Sequence, residues 1–314
     1  MDQKMKELRH LLSLKDLSGK EILSLVDLAL KIKKSQSKYA KALAGKNLLM
    51  FFEKPSLRTR LSFEVAMLQL GGHAIYYDLQ GSPLGKGKES VEDTARVVAR
   101  YMDAIMARLY SHEDLKKIAA NSRVPVINGL TDFSHPCQIL SDLLTIREKF
   151  GKLKGLKLSY LGDANNNVTH SFMFALPKIG MHLSICCPPG KEFSPNPSVV
   201  EAAKKYAKDN GTKFIISSNP EEVRDSDVLY TDSWMSYHIP KDQEARRISA
   251  LQKYQVNSRL MHLAGKKAVF MHCLPAERGK EVTADVIDGA QSIVLDEAEN
   301  RLHMQKAILL WLMK

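Results

Sequence analysis

The chain has 314 residues, and 46 basic against 35 acidic side chains leave a net charge of +11, which calls for anionic partners. A hydrophobic share of 44% and a charged share of 26% are those of ordinary globular domains, and at this length about two domains are expected. No apolar run approaches the roughly 20 residues that cross a bilayer. Met1-Asp2-Gln3-Lys4 lacks the apolar core of an export signal, so a cytoplasmic location is expected, with an organelle matrix left open.

In chain order, the first 45 or so residues read as two helices. The apolar run Leu48–Phe52 reads as a strand, Glu53–Arg60 as a tight turn, and Leu61–Leu70 as an amphipathic helix ending at Gly71-Gly72. Free N–H groups at a helix start, with hydroxyls and guanidinium groups alongside, form an anion site. The planar fork of arginine suits phosphate in particular. A phosphate on the first turn of this helix is therefore expected. Further strands are predicted at 74–77, 104–107, 124–127, 156–161, 182–187, 213–216, 227–231, 268–272 and 292–295. Helices are predicted between them, among them 91–102, 138–150 and 198–209. Such alternation predicts an α/β chain of two doubly wound parallel-sheet domains.

The segment Gly151-Lys152-Leu153-Lys154-Gly155 follows a long helical run and precedes a fresh strand. It sets domains at 1–150 and 151–298, with an amphipathic helix at 299–314 packing back on the first. Ligands in open α/β sheets bind beyond the carboxyl ends of strands, and six polar clusters fall at such exits. They are Ser56–Arg60, Arg108, His135–Gln138, Asp163–Asn167, Asp232–Ser236 and His272–Pro275. One cleft lined from both domains is the expected active site.

The basic residues are spread along the chain without aromatic interleaving, which favours a small anionic substrate over nucleic acid. Cys137, Cys186, Cys187 and Cys273 form no CxxC pair, and the ten histidines form no HExxH. Neither a metal site nor a disulfide framework is expected. Cys186-Cys187 reads as a pair of small core residues. No GxGxxG follows a strand, so a dinucleotide enzyme is disfavoured.

The set of motifs resembles the aspartate/ornithine carbamoyltransferase family, most closely its ornithine branch. The resemblance rests on Ser56-Leu57-Arg58-Thr59-Arg60, His135-Pro136-Cys137-Gln138 and His272-Cys273-Leu274-Pro275. Tyr254–Asn257 upstream of the last motif and Glu299-Asn300-Arg301 downstream support it. It implies transfer of a carbamoyl group from carbamoyl phosphate to the side-chain amine of L-ornithine, giving L-citrulline and phosphate, without a metal or organic cofactor. Carbamoyl phosphate would be held by Ser56, Leu57 through its main chain, Arg58, Thr59, Arg108, His135, Gln138, Cys273, Leu274 and Arg301. Ornithine would be held by Asn167, Asp232, Ser236 and Tyr237. Arg108, His135, Cys273 and Asp232 would be the catalytic group. A homotrimer, or a multiple of trimers with shared sites, is also implied.

Outside their motifs, His135 would read as a helix cap, Cys273 as a core thiol and Asp232 as a weak signal. In context each reads as functional. Arg60 is either an ion-pair partner or a phosphate ligand, and His272 is read as structural. Two departures from the family pattern stand out. Ser236-Tyr237-His238 replaces Ser-Met-Gly in a loop about one residue longer, which keeps an N-acylated ornithine or putrescine open as the amine. Pro83 stands where many ornithine enzymes carry glutamine, and Lys86 or Lys88 is a candidate phosphate contact for a neighbouring subunit. A non-enzymatic anion- or nucleic-acid-binding protein is the competing class.

Overall fold

The computed structural model describes residues 8–81, 88–235 and 239–314. It forms two compact units. The first comprises residues 1–17, 23–141 and 301–314, and the second residues 18–22 and 142–300.

The first unit holds a four-stranded parallel sheet of β1 (Asn47–Phe52), β2 (His73–Asp78), β3 (Ala104–Arg108) and β4 (Val126–Leu130), in the order β2-β1-β3-β4. α1 (Gly19–Lys34) precedes β1, and α2 (Leu57–Gln69), α3 (Val91–Val98), α4 (His112–Asn121) and α5 (Pro136–Phe150) follow it in chain order, with residues 19–22 of α1 and 142–150 of α5 counted in the second unit. β3 and β4 are buried along their whole length, whereas the edge strand β2 alternates exposed and half-buried positions. Strands covered on both faces by crossover helices need continuous apolar runs, and an edge does not. Phe51, Ile105, Ala107 and Val126 pack against Ala95, Leu115 and Ile118 in this core.

The second unit holds β5 (Lys157–Leu161), β6 (His182–Cys186), β7 (Phe214–Ser217), β8 (Val228–Thr231) and β9 (Val269–Met271), all parallel, in the order β7-β6-β5-β8-β9. Its helices are α6 (Asn167–Ala175), α7 (Pro197–Asn210), α8 (Glu244–Leu251), α9 (Ser258–Ala264) and α10 (Ala284–Ile287). The last helix, α11 (Val294–Met313), passes from this unit into the first.

Each sheet reverses its winding once, at β1/β3 and at β5/β8. The crevice at such a reversal is where open α/β sheets bind ligands. The register brings Phe52 level with Arg108 in the first sheet and Leu161 level with Thr231 in the second. Polar residues immediately beyond those levels are thereby gathered within each unit.

Several elements differ from the sequence expectation. The stretch 292–295 is not a strand: Ser292 makes a single bridge to Phe270, and Val294 already begins α11. Four apolar residues are too few to separate a strand from a helix start, and Asp296 and Glu297 suit a helix's first turn. Among the described residues, the start of the chain contains one α-helix, α1, rather than two. Residues 36–39 form a 3₁₀ turn, and Leu11 bridges Ile127, extending the sheet beside β4. β4 starts two residues and ends three residues later than predicted, and includes Asn128 and Gly129. The buried Asn128 is tolerated because its amide donates to Leu12 O at 2.8 Å and Ser134 O at 3.2 Å.

Candidate active site

In the first unit, the turn after β1 leads into α2, whose N-cap is Ser56 in extended conformation. The Ser56 hydroxyl accepts from Thr59 N–H at 3.3 Å and so fixes the first helical turn. Its O–H also donates to Thr59 Oγ1 at 3.2 Å. The same oxygen accepts from Arg108 Nη1 at 3.3 Å and Arg301 Nη2 at 3.4 Å. Arg301 Nη1 donates to Gln138 Oε1 at 2.5 Å. Thr59, Arg108, Gln138 and Arg301 are all buried. Strand exits β1 and β3 and helices α2 and α11 thus converge on one threonine hydroxyl, with α5 joined to it through Gln138 and Arg301.

His135 is buried at the start of α5. Burial first, then the charges of Arg301, Arg108 and Lys54, holds its imidazole well below the ordinary histidine range. The ring is therefore neutral at pH 7, a donor or acceptor rather than a cation. Lys54, only 9% exposed, belongs to this group of cations, and sequence reasoning missed it. A lysine directly at a strand exit, ahead of Pro55, was the available signal. Arg58, second in α2, is half-buried and joined to none of these side chains. Leu57 is 69% exposed. Arg60 pairs with Glu64 at 2.9 Å and lies over the Tyr76 ring, so of its two readings the ion pair is observed.

In the second unit, Gly162 continues β5 with φ +126. That conformation favours glycine. Asn166 caps α6, accepting from Val168 and Thr169 N–H, each at 2.9 Å, and donating to Tyr160 Oη and Asp163 O. Asn167 is then the first residue of α6, half-buried. Asp163 pairs with the buried Arg247, which also holds Glu192 at 3.2 Å and donates to Trp234 O at 3.1 Å. Arg247 ties α8 to the β5 and β8 exits. Sequence alone had no means of finding it, since its partner Asp163 is 84 residues away.

Asp232 follows β8. Its Oδ1 accepts from Ser233 N–H at 2.8 Å and from the Cys273 thiol at 3.2 Å. Burial, then the Asp232 charge, pushes the Cys273 thiol well above its ordinary value, so it stays an S–H donor. Leu274 has φ +57, and its peptide bond to Pro275 is cis. Its N–H donates to His272 Nδ1 at 2.8 Å. His272 N–H donates to Glu297 Oε2 at 2.9 Å, and His272 Nε2 lies 3.5 Å from Glu281. Asp232, His272 and Cys273 offer polar atoms within 4.8 Å of one another, of which Asp232 Oδ1 accepts from the Cys273 thiol and His272 Nδ1 from Leu274 N–H.

Cys137, Cys186 and Cys187 are buried free thiols. Burial raises Cys137 and Cys186 to about 12 and Cys187 to about 11. Ser236, Tyr237, Pro83 and Lys86 lie outside the described residues, and Lys88 is exposed.

Residues 9–148 match the carbamoyl-phosphate-binding domain of aspartate/ornithine carbamoyltransferases, and residues 154–312 match the Asp/Orn-binding domain. The chain belongs to the aspartate/ornithine carbamoyltransferase family. One relative, an anabolic ornithine carbamoyltransferase of Pyrococcus furiosus, is 48% identical over 304 residues, covering 96% of this chain and 95% of the relative. The solved ornithine carbamoyltransferase of the same organism superposes with a TM-score of 0.92 at 47% identity, covering 97% of both chains. That of Giardia lamblia gives 0.89 at 42% identity, covering 98% of this chain and 99% of the other. Within this carbamoyltransferase fold, the first unit gathers Ser56, Thr59, Arg108, Gln138 and Arg301 by hydrogen bonds, with His135 in their field. The second gathers Asp232 and Cys273, with Leu274 adjoining.

Proposed function

We propose that this chain transfers the carbamoyl group of carbamoyl phosphate to the side-chain amine of L-ornithine, in the citrulline-forming direction that feeds arginine biosynthesis. The observation that carries the choice of amino acid is the Asp232 carboxylate with the neutral Cys273 thiol donating to it. A carboxylate at the β8 exit suits the ammonium of ornithine and repels the second carboxylate of aspartate. The anabolic naming of the Pyrococcus furiosus relative agrees with the direction.

Ser56, Arg58, Thr59 and the Leu57 main chain bind the phosphate on the first turn of α2. Arg108, His135 and Thr59 hydrogen-bond the carbonyl oxygen, which gains negative charge as the amine attacks. A neutral His135 serves here as an N–H donor that does not give up its proton. Gln138 receives the carbamoyl NH₂ group, and Arg301 braces Gln138 and Thr59. Asp232 holds the ammonium of the amino-acid end, while Asn167 and the Ser236-Tyr237 backbone hold the carboxylate. Cys273 and the Leu274 carbonyl flank the attacking amine. The neutral amine forms the new C–N bond, the C–O bond to phosphate breaks, and the departing phosphate takes the amine's proton. No enzyme nucleophile is used, in keeping with a thiol held protonated. Orientation of the two substrates contributes roughly 7–11 kcal/mol.

A homotrimer is proposed with this function. Leu57, Leu61 and Leu68 share one face of α2 at 69%, 48% and 71% exposure. Ile75 and Tyr77 are exposed on the edge strand β2. Apolar surface on a sheet edge calls for cover. Light scattering at about three chain masses supports the trimer, and a fully active monomer refutes it. Cell fractionation tests the cytoplasmic location that we also propose. The decisive assay compares citrulline-type products from carbamoyl phosphate with L-ornithine, putrescine, N-acetylornithine and aspartate. Turnover with L-ornithine alone establishes the function, and turnover with another amine reassigns the second substrate.

A further inference from the structure

One buried imidazole of the first unit takes no part in the reaction proposed above. His112 opens α4, is 8% exposed, and places Nδ1 2.9 Å from Thr131 Oγ1. Asn128, Thr131 and Ser134 beside it are fully buried, and the last two belong to the turn that leads from β4 to His135. Ser134 N–H donates to Thr131 Oγ1 at 3.3 Å, and Thr131 N–H donates to Ser134 O at 3.0 Å. Asn128 Nδ2 has two hydrogens. Its nearest acceptors are Leu12 O at 2.8 Å and Ser134 O at 3.2 Å, ahead of Thr131 Oγ1 at 3.4 Å. Ser134 O thus holds two donors, which is what the two lone pairs of a carbonyl accept. The Thr131 hydroxyl is 3.4 Å from that filled carbonyl but 2.9 Å from His112 Nδ1, so its proton belongs on the imidazole side.

We propose that His112 is a positioning residue for His135: a neutral imidazole with its proton on Nε2, it accepts the Thr131 hydroxyl proton at Nδ1 and so locks the 131–134 turn that carries His135 into the carbamoyl site. With that proton directed at His112, the Thr131 oxygen turns a lone pair to Ser134 N–H. Both peptide groups of Ser134 are then held, and the second of them ends at the His135 Cα. On the other side of His135, the Cys137 thiol donates to Asn128 O at 3.2 Å. The residues flanking His135 are thereby tied to β4 from both directions. The Phe133 ring packs beside the imidazole, 5.1 Å between centroids. Burial, then the charge of Lys116 on the same helix, holds His112 below the ordinary histidine range, against smaller opposing effects of Asp132, Glu113 and Asp16. The ring is therefore neutral at pH 7, as an acceptor must be. A proton on Nδ1 would set one donor against another.

The kinetic consequence rests on the proposed ornithine reaction, but the position of the proton does not. Nitrogen-15 NMR of the intact protein labelled at histidine, at neutral pH, should show one neutral imidazole, absent from His112→Asn, with its proton on Nε2. The Asn Oδ1 can replace Nδ1 as acceptor, so His112→Asn should keep kcat for citrulline formation within a few-fold of the parent. His112→Leu offers no acceptor and should lower kcat about 10–100-fold, the order of loss when a reacting group is misplaced by about 1 Å, with the ornithine KM within a few-fold. Thr131→Val should lose at least as much. Adding His112→Leu to Thr131→Val should cost no more, because His112 acts through that hydroxyl. A proton on Nδ1, equal damage from His112→Asn and His112→Leu, or additive losses in the double variant overturns the proposal. If His112→Leu does not fold, the proton position and the comparison of Thr131→Val with Thr131→Ser, which keeps the hydroxyl, still decide. A parent that makes no citrulline but carries the Nε2 proton refutes the ornithine reading alone.

Discussion

Arg301 donates to Gln138 at 2.5 Å although 163 residues separate them. The chain leaves the first unit within α5, builds residues 142–300 of the second unit, and returns within α11 to place this guanidinium beside Thr59. The carbamoyl phosphate site proposed here is therefore finished only when the last helix has docked.

Replacing Arg301 by methionine removes a donor from both Gln138 and Thr59 while keeping much of the side-chain volume. If Arg301 supports the developing oxyanion, the loss should be about 10²–10³-fold in kcat, roughly 2.7–4 kcal/mol. Steady-state citrulline formation checks this. A loss confined to the ornithine KM would place Arg301 elsewhere in the mechanism.

The neutral state of His135 predicts a pH signature. Its folded pKa lies well below 6.5, through burial and then the neighbouring cations. Below about pH 6.5 the unfolded chain binds a proton that the folded chain does not. Stability from this group is thus present above that pH and is lost as pH falls toward the depressed value. Thermal unfolding followed from about pH 8 to about pH 5 should fall more steeply for the parent protein than for His135→Gln, which cannot take up that proton. Equal slopes would mean that the imidazole titrates normally.

Cys273 should behave as a donor and not as a nucleophile. With its thiol held well above the ordinary range, it should alkylate more slowly at pH 8 than a free cysteine of pKa about 8.5. Cys273→Ser retains a donor toward Asp232 and should keep more activity than Cys273→Ala. Rapid alkylation at neutral pH, read by mass spectrometry, would contradict this arrangement.

Arg247 offers a stability test away from the reacting atoms. It is 3% exposed and pairs with Asp163, itself 7% exposed. Arg247→Met leaves a buried carboxylate without its cation, so a loss of about 3–5 kcal/mol in denaturant unfolding is expected. Arg247→Lys should recover only part of it, because one ammonium cannot span Asp163, Glu192 and the Trp234 carbonyl together. A double change of Arg247 and Asp163 to apolar residues should cost less than Arg247→Met alone.

The sequence by itself determined the α/β class, nine of the ten predicted strands, and the anion-binding turn at Ser56–Arg60. These features are local: apolar runs between turn residues, and a hydroxyl at a helix start, are fixed by neighbours in the chain. Motif resemblance also drew attention to Thr59, Arg108, His135, Gln138 and Arg301 as one group. Tertiary structure decided what no run of residues carries. Residues 292–295 became a bridge and a helix start because one strand neighbour and a helical first turn were available there. Asn128 entered a buried strand because Leu12 and Ser134 supplied acceptors. The burial of Lys54 and the tie from Arg247 to Asp163 both follow from long-range packing. A polar side chain can be buried only where distant segments supply its partners, and those partners are known only once the chain has folded.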